Sequence, residues 1–347
     1  MIRIGSHEIG LARPFVIAEA GINHNGNLEQ AFAMIDAAKA TGADAVKFQT
    51  FRAEEFVTDC TAVYTYISQG REITEPMIDL FKRHEFPAES WRAIKTKCDD
   101  AGIVFLSTPQ NRSDLDLLLE IGIPAVKIGS DDFNNLQLVR DYAAAGLPLL
   151  LSCGMANIGE IQDALSAARA FDDGRVILLL CTSQYPTPPA DANMRRLKTL
   201  AAAFPGLTLG FSDHTQGATA ACMAVALGAV VFEKHFTLSH DLPGPDHWFS
   251  EDPAGMTAWV AAIHEAASML GRPHLRATAA EESIKLIARR SIVAVTDIRI
   301  GDTFDSRNIA LKRPGTGLPP ALFDTVNGRR AMRDVKAGEQ LGWGDFK

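Results

Sequence analysis

Residues 210–236, GFSDHTQGATAACMAVALGAVVFEKHF, restrict the possible folds more than any other stretch of the chain. Two apolar runs typical of buried strands flank a helix-like run of small and apolar residues at 216–227. Two strands joined by one helix in so short a span are parallel and adjacent, with a right-handed crossover. Their carboxyl ends therefore lie side by side, and His214 and His235 stand at neighbouring strand ends as two ligands of one metal ion would. Two unrelated strand-end histidines are the alternative.

The same alternation of short apolar run and helix recurs along the chain. Six further apolar runs end in polar or small residues, at 15–18, 45–46, 104–106, 125–128, 149–151 and 176–180. Several intervening helices end at a glycine, such as Gly102 and Gly122, which adopts the left-handed C′ conformation at low cost. Eight buried parallel strands alternating with eight helices in about 255 residues predict a (β/α)8 barrel, whose chemistry gathers at the carboxyl ends of the strands. A doubly wound sheet is the alternative, but a GxGxxG turn is absent.

Three segments depart from this alternation. Residues 1–14 could form a hairpin beneath the barrel floor, and the connection at 50–87 is long enough to be a lid, a binding loop or an ordinary insertion. After the last helix the sequence changes to short strands and dense turn signals. We therefore predict a barrel domain at 1–270, a polar linker at 271–283 and a small β-rich domain at 284–347.

Composition excludes several classes of protein. The net charge of −8 argues against nucleic acid or an anionic membrane as the main partner, and no apolar run has membrane-spanning length. The start of the sequence lacks a secretory signal pattern. The five cysteines are odd in number and form no CxxC, which favours a reduced, cytoplasmic protein without a zinc cluster. We interpret Cys153 and Cys181, near strand ends, as small buried residues and not as nucleophiles.

Taken in order, the strand-end motifs resemble those of the sialic acid synthase family, which makes N-acetylneuraminate and related nonulosonates. The motifs are IAEAGINHNG at 17–26, VKFQ at 46–49, STP at 107–109, KIGS at 127–130, CT at 181–182, YPTP at 185–188, SDHT at 212–215, EKHF at 233–236 and GPDH at 244–247. The tail motifs RRSIV at 289–293 and KRPGTG at 312–317 are similar to those of the antifreeze-like (SAF) domain that follows the barrel in this family. The resemblance covers essentially the whole chain.

The resemblance implies a reaction. Phosphoenolpyruvate condenses with the open-chain aldehyde of an N-acylmannosamine-type sugar, water adds at C2, and phosphate leaves by C–O cleavage. A divalent metal assists, Mn²⁺ in the first place and Mg²⁺ or Co²⁺ as alternatives. His214 and His235 match the metal ligands, because the aldehyde oxygen gains negative charge and needs a Lewis acid. Glu233 or Asp246 could orient these ligands or the water.

The remaining site residues follow from the demands of the same reaction. Lys47 and Lys127 would bind the phosphate and carboxylate, and Glu19 would be the general acid or base. Structural ion pairs are the alternative role for all three. The residues expected to bind substrate are Gln49, Thr108, Ser130, Asp132, Ser152, Ser183, Tyr185, Ser212, Asp246 and Arg313. The resemblance implies that Arg313 reaches the barrel of the other subunit in a domain-swapped homodimer; a solvated arginine is the alternative.

Three departures from the family pattern bear on the sugar. Ser183 stands where these synthases usually carry asparagine, Gln110 where they carry phenylalanine, and Asp131-Asp132 replaces a glycine–glutamate pair. The acceptor could therefore be N-acetylmannosamine or a diacetylated 6-deoxy sugar leading to legionaminic or pseudaminic acid. No additional arginine cluster supports a 6-phosphate sugar. More remote alternatives are a Schiff-base aldolase with Lys127 or Lys47 as nucleophile, and a carbohydrate-binding protein without catalysis.

Overall fold

The computed structural model describes residues 2–347, which form two compact units, one ending at Gly271 and one comprising Arg272–Lys347. The first unit contains eight parallel strands in one sheet. They are β1 (Phe15–Gly21), β2 (Ala45–Thr50), β3 (Val104–Pro109), β4 (Val126–Ile128), β5 (Leu149–Ser152), β6 (Val176–Cys181), β7 (Thr208–Asp213) and β8 (Val231–His235). Their order is β3-β2-β1-β8-β7-β6-β5-β4, and residues of β3 and β4 approach within 8 Å, Cα to Cα. The sheet therefore curls round as a (β/α)8 barrel, and the predicted fold class is confirmed.

A helix follows every barrel strand and packs on the outer face of the sheet. The eight helices are Leu28–Ala40, Ala88–Ala101, Arg112–Ile121, Leu136–Ala143, Ile158–Ala167, Arg196–Ala203, Thr219–Ala226 and Pro253–Leu270. The helix predicted at 216–227 is shorter, since Gly217 takes a left-handed φ of 71° and forms a turn before it. Among residues 2–347, no helix is long and apolar enough to cross a membrane.

The strands alternate between two environments with a period of two residues. On β1, Val16 and Ala18 belong to the core between sheet and helices, whereas Phe15 and Ile17 belong to the core inside the barrel. The next inward position on β1 is Glu19. Inward side chains therefore change from apolar to polar toward the carboxyl ends of the strands, which places the polar groups together at one mouth.

The opposite end of the barrel is closed by a hairpin. Strands Arg3–Ile4 and His7–Glu8 pair in antiparallel fashion, in agreement with the predicted hairpin. Ile2, Ile4 and Ile9 join the core inside the barrel. This end is consequently packed with apolar side chains, and the polar groups lie at the opposite mouth, at the carboxyl ends of the strands.

The long connection after β2 is a folded substructure. It contains the short helix Ala53–Phe56, an antiparallel hairpin of Val63–Ser68 and Arg71–Pro76, and the helix Met77–His84. The hairpin tip is tied to the loop after β8, where Gly244 N donates to Ser68 Oγ at 3.0 Å and Gln69 Nε2 donates to Asp241 O at 2.7 Å. The tip of this hairpin, which belongs to the connection after β2, is therefore held by the loop that follows β8, the strand on the other side of β1.

The second unit has its own small core. Strands Ser291–Ala294 and Ile309–Lys312 pair in antiparallel fashion, a 3-10 turn spans Pro320–Leu322, and a short helix spans Phe323–Val326. Ile292, Phe304, Val326 and Leu341 are among its buried residues. The unit also contains a helix, Ala279–Ala288, which begins inside the segment predicted as the linker 271–283. It begins there because Thr278 and Glu281 form a capping box that satisfies the first free amides.

Candidate active site

Four charged side chains form a buried network at the carboxyl ends of β1, β2, β4 and β8. Lys47 Nζ lies 2.6 Å from Glu19 Oε2 and 3.5 Å from Glu233 Oε2. Lys127 Nζ lies 3.6 Å from Glu233 Oε1. The strand register explains the proximity, because Glu19 is paired with Lys47 on one side and with His235 on the other. Each buried charge has an opposite charge beside it, without which its desolvation would cost several kcal/mol.

The two carboxyl groups have opposite pKa shifts. Burial raises the pKa of Glu19 from 4.5 to about 7, although the Lys47 ammonium lowers it in part. Burial also acts against the Glu233 carboxylate, but Lys127, Lys47 and the Ser212 hydroxyl outweigh it and lower that pKa to about 2. Glu233 is therefore a permanent anion, whereas Glu19 can take up or release a proton near neutral pH. Such divergent pairs are typical of acid–base sites.

His214 and His235 stand side by side at the ends of β7 and β8, with ring centroids 5.4 Å apart. His214 Nδ1 donates to the carbonyl of Thr182 at 2.8 Å, and this contact leaves the lone pair on Nε2. His235 Nδ1 is buried and has no hydrogen-bond partner among residues 2–347. Burial and the neighbouring His214 hold the pKa of His235 well below its usual range, so its ring stays neutral. Burial acts against a charged His214 ring, but its contacts with Cys181 and Thr182 outweigh burial and raise the pKa of His214. An unpartnered nitrogen of a neutral ring beside a second histidine fits a divalent cation, which would compete with a proton for His214 Nε2.

These two histidines do not form part of a larger ligand set. Among residues 2–347, no group of three or more His, Cys, Asp or Glu side chains is arranged to hold a metal ion. A cation at this pair would therefore take its remaining ligands from water and substrate. Open coordination of that kind is typical of catalytic metal sites and not of structural ones.

Small hydroxyl side chains line the wall formed by the ends of β4, β5 and β6. Ser152 Oγ and Ser183 Oγ are buried without a hydrogen-bond partner in the described part of the chain. Gly154 N donates to Ser130 Oγ at 3.0 Å, and a Cβ on Gly154 would come within 2.4 Å of Ser183 Oγ. The glycine thus leaves space beside free hydroxyl groups. Together with Lys127 Nζ, this wall could bind the oxygens of an anion.

The network, the histidines and the hydroxyl wall face one cavity of about 550 Å³. Twelve of the residues predicted for the site line it: Glu19, Lys47, Gln49, Thr108, Lys127, Ser130, Ser152, Ser183, Tyr185, Ser212, His214 and His235. Tyr185 stacks near His214 with ring centroids 4.1 Å apart. Residues distant in the sequence therefore meet at one barrel mouth.

Three predicted residues lie elsewhere. Asp246 lines a second cavity of about 490 Å³, whose walls share Gln49, Tyr185 and His235 with the first; burial raises the pKa of Asp246 to about 6. Asp132 does not line either cavity, and its neighbour Asp131 lines the first one instead. Asp132 turns aside because its carboxylate accepts a hydrogen bond from Asn135 Nδ2 at 3.3 Å, at the start of the next helix.

Arg313 lies in the second unit, where it is exposed. Its predicted role in another subunit stays a prediction.

Glu233 was expected only to orient the metal ligands or the water, and several other cavity residues were absent from the predicted site. Glu233 joins the charged network, and its position two residues before His235 on β8 was the signal that it points inward. Cys181 is buried as expected but also lines the cavity, with Sγ 3.9 Å from His214 Nδ1. Tyr64 and Phe81 come from the long connection after β2. No pattern in that connection indicates which of its side chains reach the barrel mouth.

Comparison with known families and proteins agrees with this architecture. The sequence model of the NeuB family matches residues 34–274, and that of the SAF domain matches residues 289–347. An N,N'-diacetyllegionaminic acid synthase of Legionella pneumophila is 35% identical over 333 residues, 95% of this chain and 93% of that protein. The spore coat polysaccharide biosynthesis protein SpsE of Bacillus subtilis is 36% identical and covers 99% of this chain and 96% of its own.

A solved structure of a related protein has a similar fold. The crystal structure of N-acetylneuraminic acid synthetase from Leptospira borgpetersenii, in complex with citrate, is similar with a TM-score of 0.73 and 33% identity. The similarity covers 82% of this chain and 94% of that one.

Proposed function

The chain belongs to the NeuB family, and we propose that it is a nonulosonate synthase that condenses phosphoenolpyruvate with an N-acylated sugar aldehyde. Water is the third reactant, and phosphate leaves by cleavage of its C–O bond. One observation carries this proposal: a single cavity holds two lysines, free hydroxyl groups, two adjacent histidines and a carboxyl group with a pKa near 7. These are the groups that the reaction requires.

Phosphoenolpyruvate would bind deep in the cavity. Its phosphate and carboxylate offer only acceptor oxygens, and Lys47, Lys127, Ser152 and Ser183 offer donors at the ends of neighbouring strands. Lys47 is suited to this role because its two carboxylate neighbours outweigh burial and raise its pKa. Electrostatic attraction is strong here, since the surrounding barrel excludes water.

His214 and His235 would hold a divalent cation, for which we propose Mn²⁺. When bound, such an ion would polarise the aldehyde carbonyl as a Lewis acid. The protein's own contribution is to orient the His214 ring: the Thr182 carbonyl fixes its tautomer, and the Tyr185 ring packs beside it.

The cation proposal can be tested without turnover. We expect His235→Ala to weaken Mn²⁺ binding by more than about 100-fold, because loss of an outer hydrogen bond to a ligand alone costs 10- to 100-fold. Electron paramagnetic resonance of free Mn²⁺ measures this directly. The control is His274→Ala, an exposed histidine of the second unit. Unchanged affinity in His235→Ala would contradict the assignment.

Glu19 would act as the base for the water that adds at C2. A Cβ added to Gly21 would lie within 4 Å of Glu19 Oε1, Gln49 Nε2 and His235 Nδ1. Glu19 Oε1 therefore lies on the side of the cavity that carries Gln49 and His235. A carboxyl group with a pKa near 7 is half ionised at neutral pH and can exchange a proton without a large free-energy cost. Glu233 keeps the lysines charged and takes no proton.

The second cavity supports the choice of acceptor. It is lined by several aromatic side chains, among them Tyr64, Phe81 and Trp248, together with polar ones such as Gln49 and Asp246, and no Lys or Arg is among its lining residues. Such walls suit methyl groups and sugar faces and do not suit a phosphate. The acceptor is therefore an unphosphorylated N-acyl sugar, and the apolar walls favour a diacetylated 6-deoxy sugar, leading to legionaminic or pseudaminic acid, over N-acetylmannosamine.

The charge distribution supports the proposed homodimer. The residues up to Gly271 carry 20 Lys/Arg and 33 Asp/Glu, a net −13, whereas Arg272–Lys347 carries 14 and 9, a net +5. In addition, no residue of the helix Ala279–Ala288 is buried, and Ile284 and Ile287 are exposed. We propose that the basic unit of each chain caps the acidic barrel of the other, with Arg313 near the acceptor. Opposite net charges attract and steer such association.

The test of the reaction is release of phosphate from phosphoenolpyruvate with Mn²⁺ and a panel of N-acyl hexosamines. Release that depends on both the sugar and the metal supports the synthase. No release with any sugar would overturn it. Borohydride trapping of pyruvate on Lys127 or Lys47, indifferent to chelator, would instead indicate the Schiff-base aldolase.

A further inference from the structure

Gln110 occupies an unusual position in the cavity wall. It is 9% exposed, lines the cavity that contains Glu19 and Lys127, and lies just beyond the end of β3. Its Oε1 is buried and has no hydrogen-bond partner among residues 2–347. Buried amide oxygens are normally paired, because leaving one unpaired costs free energy. A ligand that enters the cavity and donates a hydrogen bond would remove this cost.

The backbone around Gln110 is rigidly held. Gln110 N donates to the carbonyl of Thr50 at 3.0 Å. The Tyr142 hydroxyl lies 3.0 Å from Pro109 O and 3.1 Å from Asn111 O, and so bridges the carbonyls on either side. Asn111 also forms a capping box with Asp114 at the start of the next helix. The side chain of Gln110 is thus presented from a fixed frame, as specific recognition requires.

The chemistry of the two substrates shows which of them Oε1 would contact. Phosphoenolpyruvate offers acceptor oxygens, whereas an N-acyl sugar offers amide N–H and hydroxyl donors. Phe56 and Phe81 line the same cavity as Gln110, with ring centroids 4.9 Å apart, and Phe81 also lines the second cavity, so a sugar bound there can extend into this one. The helix that carries Phe56 contacts the helix that follows Gln110, where Ser113 Oγ donates to Glu55 Oε2 at 2.5 Å. An amide acceptor and an apolar surface in one cavity are complementary to an acylamino group, which combines an N–H with a methyl.

We propose that Gln110 is a specificity-determining residue whose side-chain oxygen accepts a hydrogen bond from an acylamino N–H of the acceptor sugar. This inference rests on the proposed function and goes beyond it by naming the group that is recognised and the residue that recognises it. Gln110 takes no part in bond making or proton transfer.

The test compares Gln110→Met, which keeps the length of the side chain and removes the amide, with the wild type. The acceptors are an N-acetyl sugar and its O-acetyl analogue, which keeps the shape but has no N–H. We expect the wild type to prefer the N-acetyl sugar, and Gln110→Met to raise the KM of that sugar about 5- to 30-fold, as loss of one buried hydrogen bond predicts. The KM of the O-acetyl analogue and that of phosphoenolpyruvate should change less than about twofold. The matched control is Gln137→Met on an exposed helix surface.

Two results would overturn the proposal: equal effects on the N-acetyl and O-acetyl sugars, or a rise in the KM of phosphoenolpyruvate alone. The same comparison by calorimetric binding of each sugar, in the presence of phosphoenolpyruvate and without metal, separates this proposal from the reaction. A wild type that binds the N-acetyl sugar through Gln110 but releases no phosphate would contradict the synthase reaction and leave the recognition role standing. A wild type that binds neither sugar would contradict the recognition role, and the phosphate assay alone would then decide the reaction.

Discussion

At the scale of single residues, Glu19 and Glu233 share Lys47 but have pKa values shifted in opposite directions. Glu233 also lies beside the Lys127 ammonium and accepts a hydrogen bond from the Ser212 hydroxyl at 2.9 Å. Its negative charge is therefore stabilised by two ammonium groups and a hydroxyl. Glu19 has one ammonium partner, and its Oε1 meets only the amide of Gln49, at 3.5 Å. Desolvation therefore dominates at Glu19 and is overcome at Glu233. One carboxyl group is left to exchange a proton, and the other holds the lysines in place.

The raised pKa of Glu19 predicts the pH dependence of catalysis. If the ionised carboxylate is the base, kcat/KM rises with pH, is half-maximal near pH 7 and levels off above it. Glu19→Gln should remove this inflection and lower kcat by roughly 10²- to 10⁴-fold. Initial rates of phosphate release between pH 5 and pH 9 measure both effects. A profile that falls above pH 7 would show that Glu19 acts as an acid.

Gly154 allows a second test at this scale. In Gly154→Ala, the new Cβ would come within 2.4 Å of Ser183 Oγ and 2.6 Å of Ser130 Oγ, too close for a real contact, and would displace both hydroxyls. We expect the KM of phosphoenolpyruvate to rise about 10- to 100-fold, which corresponds to loss of a charge-assisted hydrogen bond, with little change for the sugar. Gly10→Ala is the control, because no atom lies within 4 Å of a Cβ there. Equal KM values in the two variants would exclude an anion at this wall.

At the scale of elements, the long connection after β2 brings Tyr64 and Phe81 to the cavity. Within it, Arg83 binds Glu75 through both of its terminal nitrogens, at 2.9 Å and 2.7 Å, and Glu75 accepts from the Tyr66 hydroxyl at 2.7 Å. The hairpin is thus fastened to its own helix at the base and to the loop after β8 at the tip. These contacts make the connection a wall of the second cavity, in which we propose that the acceptor binds.

The two hydrogen bonds at the hairpin tip predict that the hairpin becomes more mobile when one of them is removed. Gln69→Ala removes the hydrogen bond to Asp241 O. We expect trypsin to cleave at Arg71 faster, because the hairpin opens more often. We also expect the KM of the sugar to rise about two- to tenfold, which corresponds to the loss of one net hydrogen bond. Limited proteolysis and steady-state kinetics measure the two effects. Glu72→Ala, an exposed position on the same hairpin, is the control. If the sugar KM changes as much in the control, the tip contact does not shape the acceptor cavity.

At the scale of the whole molecule, the two units differ in charge and in the kind of core they contain. The barrel unit encloses a complete charged network, whereas the second unit carries the exposed Arg313 and a helix without a buried residue. Apolar side chains exposed on such a helix often mark a protein interface. The proposed dimer accounts for the exposed helix and for the excess of positive charge in the same unit.

Mixing of two variants tests whether Arg313 acts across subunits. Glu19→Gln and Arg313→Ala each impair the site alone, but a mixed dimer would contain one intact site if the arginine comes from the other chain. After refolding of an equal mixture, we expect recovery of about a quarter of wild-type activity, because half of the dimers are mixed and each has one working site of two. Mixtures that show no recovery would place Arg313 in its own subunit or outside the site. Analytical ultracentrifugation of each variant is the control for assembly.

The sequence by itself determined the barrel, its small second domain and most of the cavity. Period-two alternation along buried strands and the polar residues at their ends suffice to place Glu19, Lys47, Lys127, His214 and His235 at one mouth, since parallel strands end together. Only the tertiary structure decided which partners these groups have. The pKa values of Glu19 and Glu233 differ because Glu233 lies beside two ammonium groups and Glu19 beside one. Whether Asp131 or Asp132 lines the cavity depends on the direction in which the chain turns after β4. Such contacts are set across strands and loops that are far apart in sequence, and no local pattern records them.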